Sequence, residues 1–197
     1  MQLSRSLIIS TTGHRTVPED PLFLVKLDSF VLEFLGGRME NSFIVMSPLA
    51  EGADRLIAKS ILKKFKKARL HAVLPLEIDD YLNDFKSKGS REEFLALIER
   101  ADTVDVVSLS RRSRKMGRGE QDDIITSIML RDLSYEACGH LMVDKGQILF
   151  AIWDGKSARG KGGTGEIVQY ARERKKPIIW LGTRAPYEVK FENMDRI

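Results

Sequence analysis

Apolar runs of strand length recur along this chain, and helical patterns separate them. The runs are Ser6–Thr11 (SLIIST), Ser42–Leu49 (SFIVMSPL), Arg69–Leu76 (RLHAVLPL), Asp102–Leu109 (DTVDVVSL), Gln147–Gly155 (QILFAIWDG) and a sixth beginning at Pro177 (PIIWLGT). Between them lie Leu22–Leu35 with helical apolar spacing, and a helix from Glu51 that puts Leu56, Ile57, Ile61, Leu62 and Phe65 on one face. A short REEFLALIERA segment, a long helix over Gln121–Val143, and a helix after Gly165 complete the pattern. Strands that alternate with helices are joined by crossovers and so run parallel. Runs that are apolar throughout, rather than at every second residue, must be covered on both faces. The pattern predicts an α/β chain: a three-layer αβα sandwich around a mostly parallel sheet of about six strands. A length of 197 residues favours one domain, and a hydrophobic content of 43% supports a core of that size. The domain is expected over residues 1–183. The tail 184–197 (RAPYEVKFENMDRI) has no clear period and reads as a frayed end, an edge strand or the stub of a further region.

The formal net charge of +4 favours anionic ligands without amounting to a nucleic-acid footprint. Its most basic segment, Ser110–Asp123, carries Arg111, Arg112, Arg114, Lys115 and Arg118. It reads as a solvated loop or as a basic flap over an anionic ligand. It lacks the interleaved aromatics that stack on bases, so a nucleic-acid partner is not expected. The single cysteine, Cys138, excludes an internal disulfide and any multi-cysteine zinc site, and reads as a small buried helix residue. No metal site is expected. The N-terminal apolar run is too short for a signal peptide, and nothing approaches the roughly 20 apolar residues of a membrane span. A soluble, cytoplasmic chain is expected.

In a parallel sheet of this kind ligands bind beyond the carboxyl ends of the strands, so the loops there carry the chemistry. After the first run comes TTGHR. Thr12 and Gly13 offer backbone N–H groups, His14 can donate a hydrogen bond, and Arg15 can pair with a phosphate through its planar fork. After the second comes SPLAEGADR, with Ser47, Glu51, Gly52, Asp54 and Arg55. Here Glu51 could grip ribose hydroxyls and Gly52 could admit a ligand to the backbone. The alternative for both carboxylates is a favourable place in a first helical turn. After the third, Tyr81 and Phe85 suit core packing at i and i+4; only for an enzyme cutting an N-glycosidic bond would Tyr81, Asp84 and Tyr135 be candidates for shaping a base pocket. After the fifth comes WDGKSARGKGGTGE. Asp154, Gly155 and Lys156 precede Gly162, Gly163, Thr164, Gly165 and Glu166 at a helix start. Unpaired N–H groups and the positive end of the helix dipole there favour phosphate. Neither a Walker loop nor a Gly-x-Gly-x-x-Gly after the first strand is present.

Taken together and in this order, TGHR, SPLAEGADRLIA, LPL…YLNDF and AIWDGKSARGKGGTGEIVQYARERKKPIIWL resemble the SLOG superfamily. That is the Rossmann-like group of DprA, the Lonely Guy phosphoribohydrolases and the lysine-decarboxylase-like proteins. The resemblance covers nearly the whole chain and implies a Rossmann-like fold. It also implies a nucleotide or nucleotide-derived ligand, sensed in some members as a cyclic ADP-ribose isomer during anti-phage defence. Catalytic members carry Pro-Gly-Gly-x-Gly-Thr-x-x-Glu. Here Lys161 stands at the proline, Glu166 at the threonine and Gln169 at the catalytic glutamate. An amide cannot serve as an acid or a base. The first reading is therefore a sensor domain with no cofactor of its own and a nucleotide-type ligand. The second is an N-glycosidic hydrolase using Glu166 or Glu51, and the third a DprA-like binder of single-stranded DNA. The resemblance implies pairing through helices that flank the sheet, for which the apolar positions of Ile124–Met142 suit a homo-oligomer or else burial within the domain itself, and a sensor implies an effector partner.

Overall fold

The computed structural model describes residues 6–37, 42–107, 120–157 and 162–196. The basic block Arg111–Arg118 falls outside them, as do Arg159 and Lys161. The element order is β1 (Leu7–Gly13), α1 (Pro21–Gly36), β2 (Phe43–Ser47), α2 (Ala53–Lys64), β3 (Arg69–Leu74), α3 (Ile78–Leu82), α4 (Lys88–Arg100), β4 (Thr103–Val106), α5 (Glu120–Lys145), β5 (Ile148–Trp153), α6 (Thr164–Glu173), β6 (Ile178–Gly182) and β7 (Val189–Glu192).

The strands form one sheet in the order β4-β3-β2-β1-β5-β6-β7. All neighbours are parallel except β6 and β7, which pair antiparallel with Trp180 opposite Lys190. This is the three-layer Rossmann-like sandwich, with a seventh strand built from the aperiodic tail. The chain winds outward from β1 through β2 and β3 to β4, then returns to place β5 on the other side of β1. The switch in strand order therefore lies between β1 and β5.

Alternation along each strand sends side chains to two separate cores. Leu7, Ile9, Val45, Leu70, Ala72, Leu74, Ile148, Phe150 and Ile152 face a cluster with Phe23, Leu27 and Val31 of α1 and Ile57 and Ile61 of α2. Leu149, Ala151 and Trp153 face Ile167, Val168 and Ala171 of α6 on the other side, and Met46 and Val73 meet Cys138 and Met142 of α5 there. Local signals place the helix starts. The Asp20 carboxylate accepts the Leu22 N–H at 2.9 Å and Pro21 occupies the first turn of α1, while the Ser87 hydroxyl accepts the Ser90 N–H ahead of α4.

Two features differ from the sequence pattern. The polar stretch after β3 contains a short helix, α3, which carries Tyr81 into the core. Within the Asp102–Leu109 run, β4 is not covered on both faces: it is an edge strand with Val104 and Val106 exposed. Among the described residues no helix is long and apolar enough to cross a membrane.

Candidate functional site

The β1, β2 and β5 ends open into a cleft of about 790 Å³, roofed by α5 and closed on one side by the start of α6. It brings together Thr12, Gly13, His14, Arg15, Asp54, Tyr81, Asp154, Lys156, Gly162, Gly163, Thr164 and Gly165 from the sequence-based candidates. Ser47, Glu51, Gly52, Arg55, Gly155 and Glu166 do not line it, and each has another role.

At the α6 end, Glu166 and Ile167 donate their N–H groups to the Gly163 carbonyl, and no side chain of the described residues caps the helix. The N–H groups of Gly163, Thr164 and Gly165 have no partner among the described residues. Glu166 instead folds back, its Oε2 accepting the Gly162 N–H at 2.6 Å. It fixes the loop that Gly162 enters with φ +69°. A Cβ on Gly162 would sit 2.7 Å from the Cβ of Tyr135, so this glycine is needed for packing whether or not a ligand is present. Lys156 is held by its backbone: its N–H donates to Asp154 Oδ1 at 3.1 Å, and its carbonyl accepts Trp153 Nε1–H at 2.9 Å.

Across the cleft, Arg15 is half exposed. Its guanidinium reaches the Asp84 carbonyl at 3.4 Å and the Tyr135 hydroxyl at 3.3 Å, and its Nη2 lies 3.6 Å from Asp84 Oδ2. Asp84 also accepts from Tyr135 and Arg131. Burial works against the Arg15 charge, but Tyr135, Tyr81 and Asp84 outweigh it and hold its pKa above the usual value. His14 Nε2 lies 3.1 Å from Asp154 Oδ1 and 3.2 Å from the Asp154 N–H. One nitrogen cannot serve both: with a proton it donates to the carboxylate, without one it accepts from the backbone. Burial tends to raise the Asp154 pKa, yet the Lys156 N–H and His14 together hold it below the usual carboxylate range.

The floor is Asp54. It is 4% exposed, and its Oδ1 is 2.9 Å from Thr11 Oγ1, which is also 2.9 Å from Ser47 Oγ. Ser47 accepts the Leu49 N–H and thus buttresses the floor from below. Burial pushes the Asp54 carboxyl up to about 7, against the Thr11 hydrogen bond and the charges of Arg15 and Arg55.

The remaining candidates are structural in placement. Arg55 is buried, donates to the Leu49 and Ser90 carbonyls, pairs with Glu93 at 3.0 Å and stacks on Phe85, so it ties α2 to α4. Glu51 Oε1 accepts the Lys86 N–H at 3.2 Å. Gly52 lies against the backbone of His14 and Arg15, and Gly155 turns the loop with φ +80°.

Sequence reasoning passed over the cleft's apolar wall: Pro48, Pro75, Cys138, Gly139, Met142 and Trp153. Tyr135, Cys138, Gly139 and Met142 follow i, i+3, i+4, i+7 spacing, a helix-face signal that could have grouped them. Cys138 donates to the Val73 carbonyl, and burial raises its thiol pKa. At the α5–α6 junction Glu136, His140 and Glu166 bring one ligand atom each within 4.8 Å of one another, a trio that could hold a divalent ion.

No protein-family model matches the chain, and no curated protein matches it in sequence. Solved structures similar to it are described as the Moco carrier protein, or molybdenum cofactor carrier protein, of Chlamydomonas reinhardtii. Three of them show 16%, 18% and 17% identity with TM-scores of 0.47, 0.42 and 0.45; each match covers 92% of this chain and 80%, 79% and 80% of the other. The expectation that this chain works without a cofactor is corrected accordingly: neighbours named for carrying one leave a cofactor-free reading without support.

Proposed function

We propose that the protein is a cytoplasmic SLOG-type domain that binds a phosphorylated small molecule of nucleotide size in this cleft and leaves it intact. A nucleotide-derived second messenger, such as a cyclic ADP-ribose-like signal of bacterial defence, and a phosphorylated cofactor both belong to that class. The carrying observation is that the open first turn of α6, Arg15 and Lys156 face one cleft beside the β1–β5 switch point. A helix N-terminus and two cations around one hollow attract phosphate oxygens. The hydrolase reading draws no carboxylate into the cleft from Glu51 or Glu166; Asp54 and Asp154 are the acids lining it among the described residues.

The test is calorimetry and thermal shift with nucleoside mono- and diphosphates, cyclic ADP-ribose isomers and inorganic pyrophosphate, with free base assayed in parallel. Binding without base release is expected. Arg15→Ala should weaken phosphorylated ligands by about 1.5–3 kcal/mol, the range for a charge-assisted hydrogen bond, and leave unphosphorylated nucleosides nearly unchanged. Equal losses for both would show that Arg15 does not read phosphate.

Self-association belongs to the same proposal, with an effector as the downstream partner. Ile128 and Met129 of α5 are 57% and 60% exposed, and Leu133 is exposed beside them. A dimer or larger is expected in light scattering over a concentration series with and without ligand. A monomer throughout would remove it.

A further inference from the structure

The cleft has two chemically different ends. The α6 end is glycine-rich and carries Lys156, whose Nζ lies 3.8 Å from Asp154 Oδ2. The end over β2 and β3 is walled by Pro48, Pro75, Cys138 and Met142. Two buried polar side chains sit in that end, close enough to the half-exposed Arg15 for its charge to act on both. Tyr81 is 0% exposed, and its hydroxyl has no hydrogen-bond partner among the described residues. Asp54 is buried beside it with Oδ1 held by Thr11. The Tyr81 hydroxyl interacts electrostatically with Tyr135, Asp54, Cys138 and Arg15, all of which line the cleft, so it lies among them at its floor.

The ring of Tyr81 is explained by packing, since it meets Phe85 at 4.9 Å and Phe94 at 5.5 Å between centroids. A phenylalanine would pack as well. The oxygen is not explained by packing: buried hydroxyls are ordinarily hydrogen-bonded, and an unpaired one carries a desolvation cost that nothing repays. A ligand group arriving in the cleft would repay it.

We infer that, within the phosphate-binding reading above, this end receives a flat heterocycle and reads an edge with a carbonyl next to a ring N–H, as guanine presents. Tyr81 donates its proton to the carbonyl, and the ionised Asp54 accepts the neighbouring N–H. Adenine offers a bare ring nitrogen where Asp54 needs a donor, so two acceptors would meet. A site whose buried groups are left unpaired by the wrong ring discriminates strongly.

The experiment is titration calorimetry at pH 8, where Asp54 is largely ionised, with GMP, AMP and inorganic pyrophosphate on the wild type and Tyr81→Phe. GMP should bind at least about tenfold more tightly than AMP, as one satisfied or unsatisfied hydrogen bond implies. Tyr81→Phe should weaken GMP about tenfold and leave pyrophosphate within about twofold. Equal affinity of the wild type for GMP and AMP would overturn the inference and needs no variant. So would unchanged GMP affinity in Tyr81→Phe; in both cases retained pyrophosphate binding preserves the phosphate reading. No binding of GMP or pyrophosphate overturns both readings together.

Discussion

Gly52→Ala is expected to lower the unfolding free energy by about 3–5 kcal/mol, the sum of a strained backbone and an overpacked contact. Gly52 stands at the N-cap of α2 with φ 80° and ψ −119°, a region that side-chain-bearing residues rarely enter. A Cβ there would lie 2.2 Å from the Arg15 carbonyl oxygen and 2.6 Å from that of His14. Both are backbone atoms, and neither can rotate away. The loop is held in place besides, because His14 donates to Ile152 O at 3.1 Å and accepts from Ala53 N at 3.0 Å. Relief of the clash must therefore move Arg15, so the same variant should lose affinity for pyrophosphate as well as stability. Urea unfolding and calorimetry check the two effects. Gly89→Ala in α4 is the control, since nothing lies within 4 Å of its added methyl. A loss below about 1 kcal/mol in Gly52→Ala, the size of an ordinary substitution, would show that the loop yields.

Gly52 also shows how far the sequence could be read. A glycine after the second apolar run signals a close approach to the backbone, and there is one. What approaches is the chain's own β1–α1 loop, and only the three-dimensional course of that loop reveals it. Gly162 behaves similarly: the glycine-rich helix start was legible, whereas its contact with Tyr135 joins residues 27 apart in sequence on two different elements. The α/β alternation identified the layers because its two periodicities are local. The placement of β5 beside β1 is not local, and so the cleft's apolar wall from α5 was not assembled in advance. Tyr81 was legible as a core aromatic four residues before Phe85. That its hydroxyl would be left unpaired beside Asp54 depends on α3 and α2 docking together, which no spacing encodes. The β4 run misled because its apolar residues suggested cover on both faces, while its position at the sheet edge leaves Val104 and Val106 exposed.

Asp54→Asn is expected to stabilise the ligand-free protein at pH 8 by several kcal/mol and to flatten its stability between pH 4 and 7. The Asp54 carboxyl has a folded pKa of about 7 because burial disfavours its charge. In the unfolded chain it titrates near the ordinary value of about 3.9. A raised carboxyl pKa means that the folded state holds the proton more tightly than the unfolded state. Below about pH 4 both states are protonated and nothing is lost. As pH rises the unfolded chain releases the proton first, and stability falls until the folded group ionises near pH 7. Three pKa units correspond to about 4 kcal/mol at most. The groups facing Asp54 do not remove the effect: Thr11 donates to it, Arg15 and Arg55 favour its charge, and Tyr81 and Cys138 stay neutral because burial and the Asp54 charge raise their own pKa values. Asparagine can still accept the Thr11 hydrogen bond and stays neutral throughout. Other carboxylates, such as Asp154 and Glu192, have lowered pKa values and add an opposite slope at low pH, but they do so equally in both proteins. The difference between wild type and Asp54→Asn in urea melts at pH 5, 7 and 8.5 isolates the one group. A constant difference across that range would show that Asp54 is ionised throughout, and the cleft floor would then present a fixed charge to its ligand.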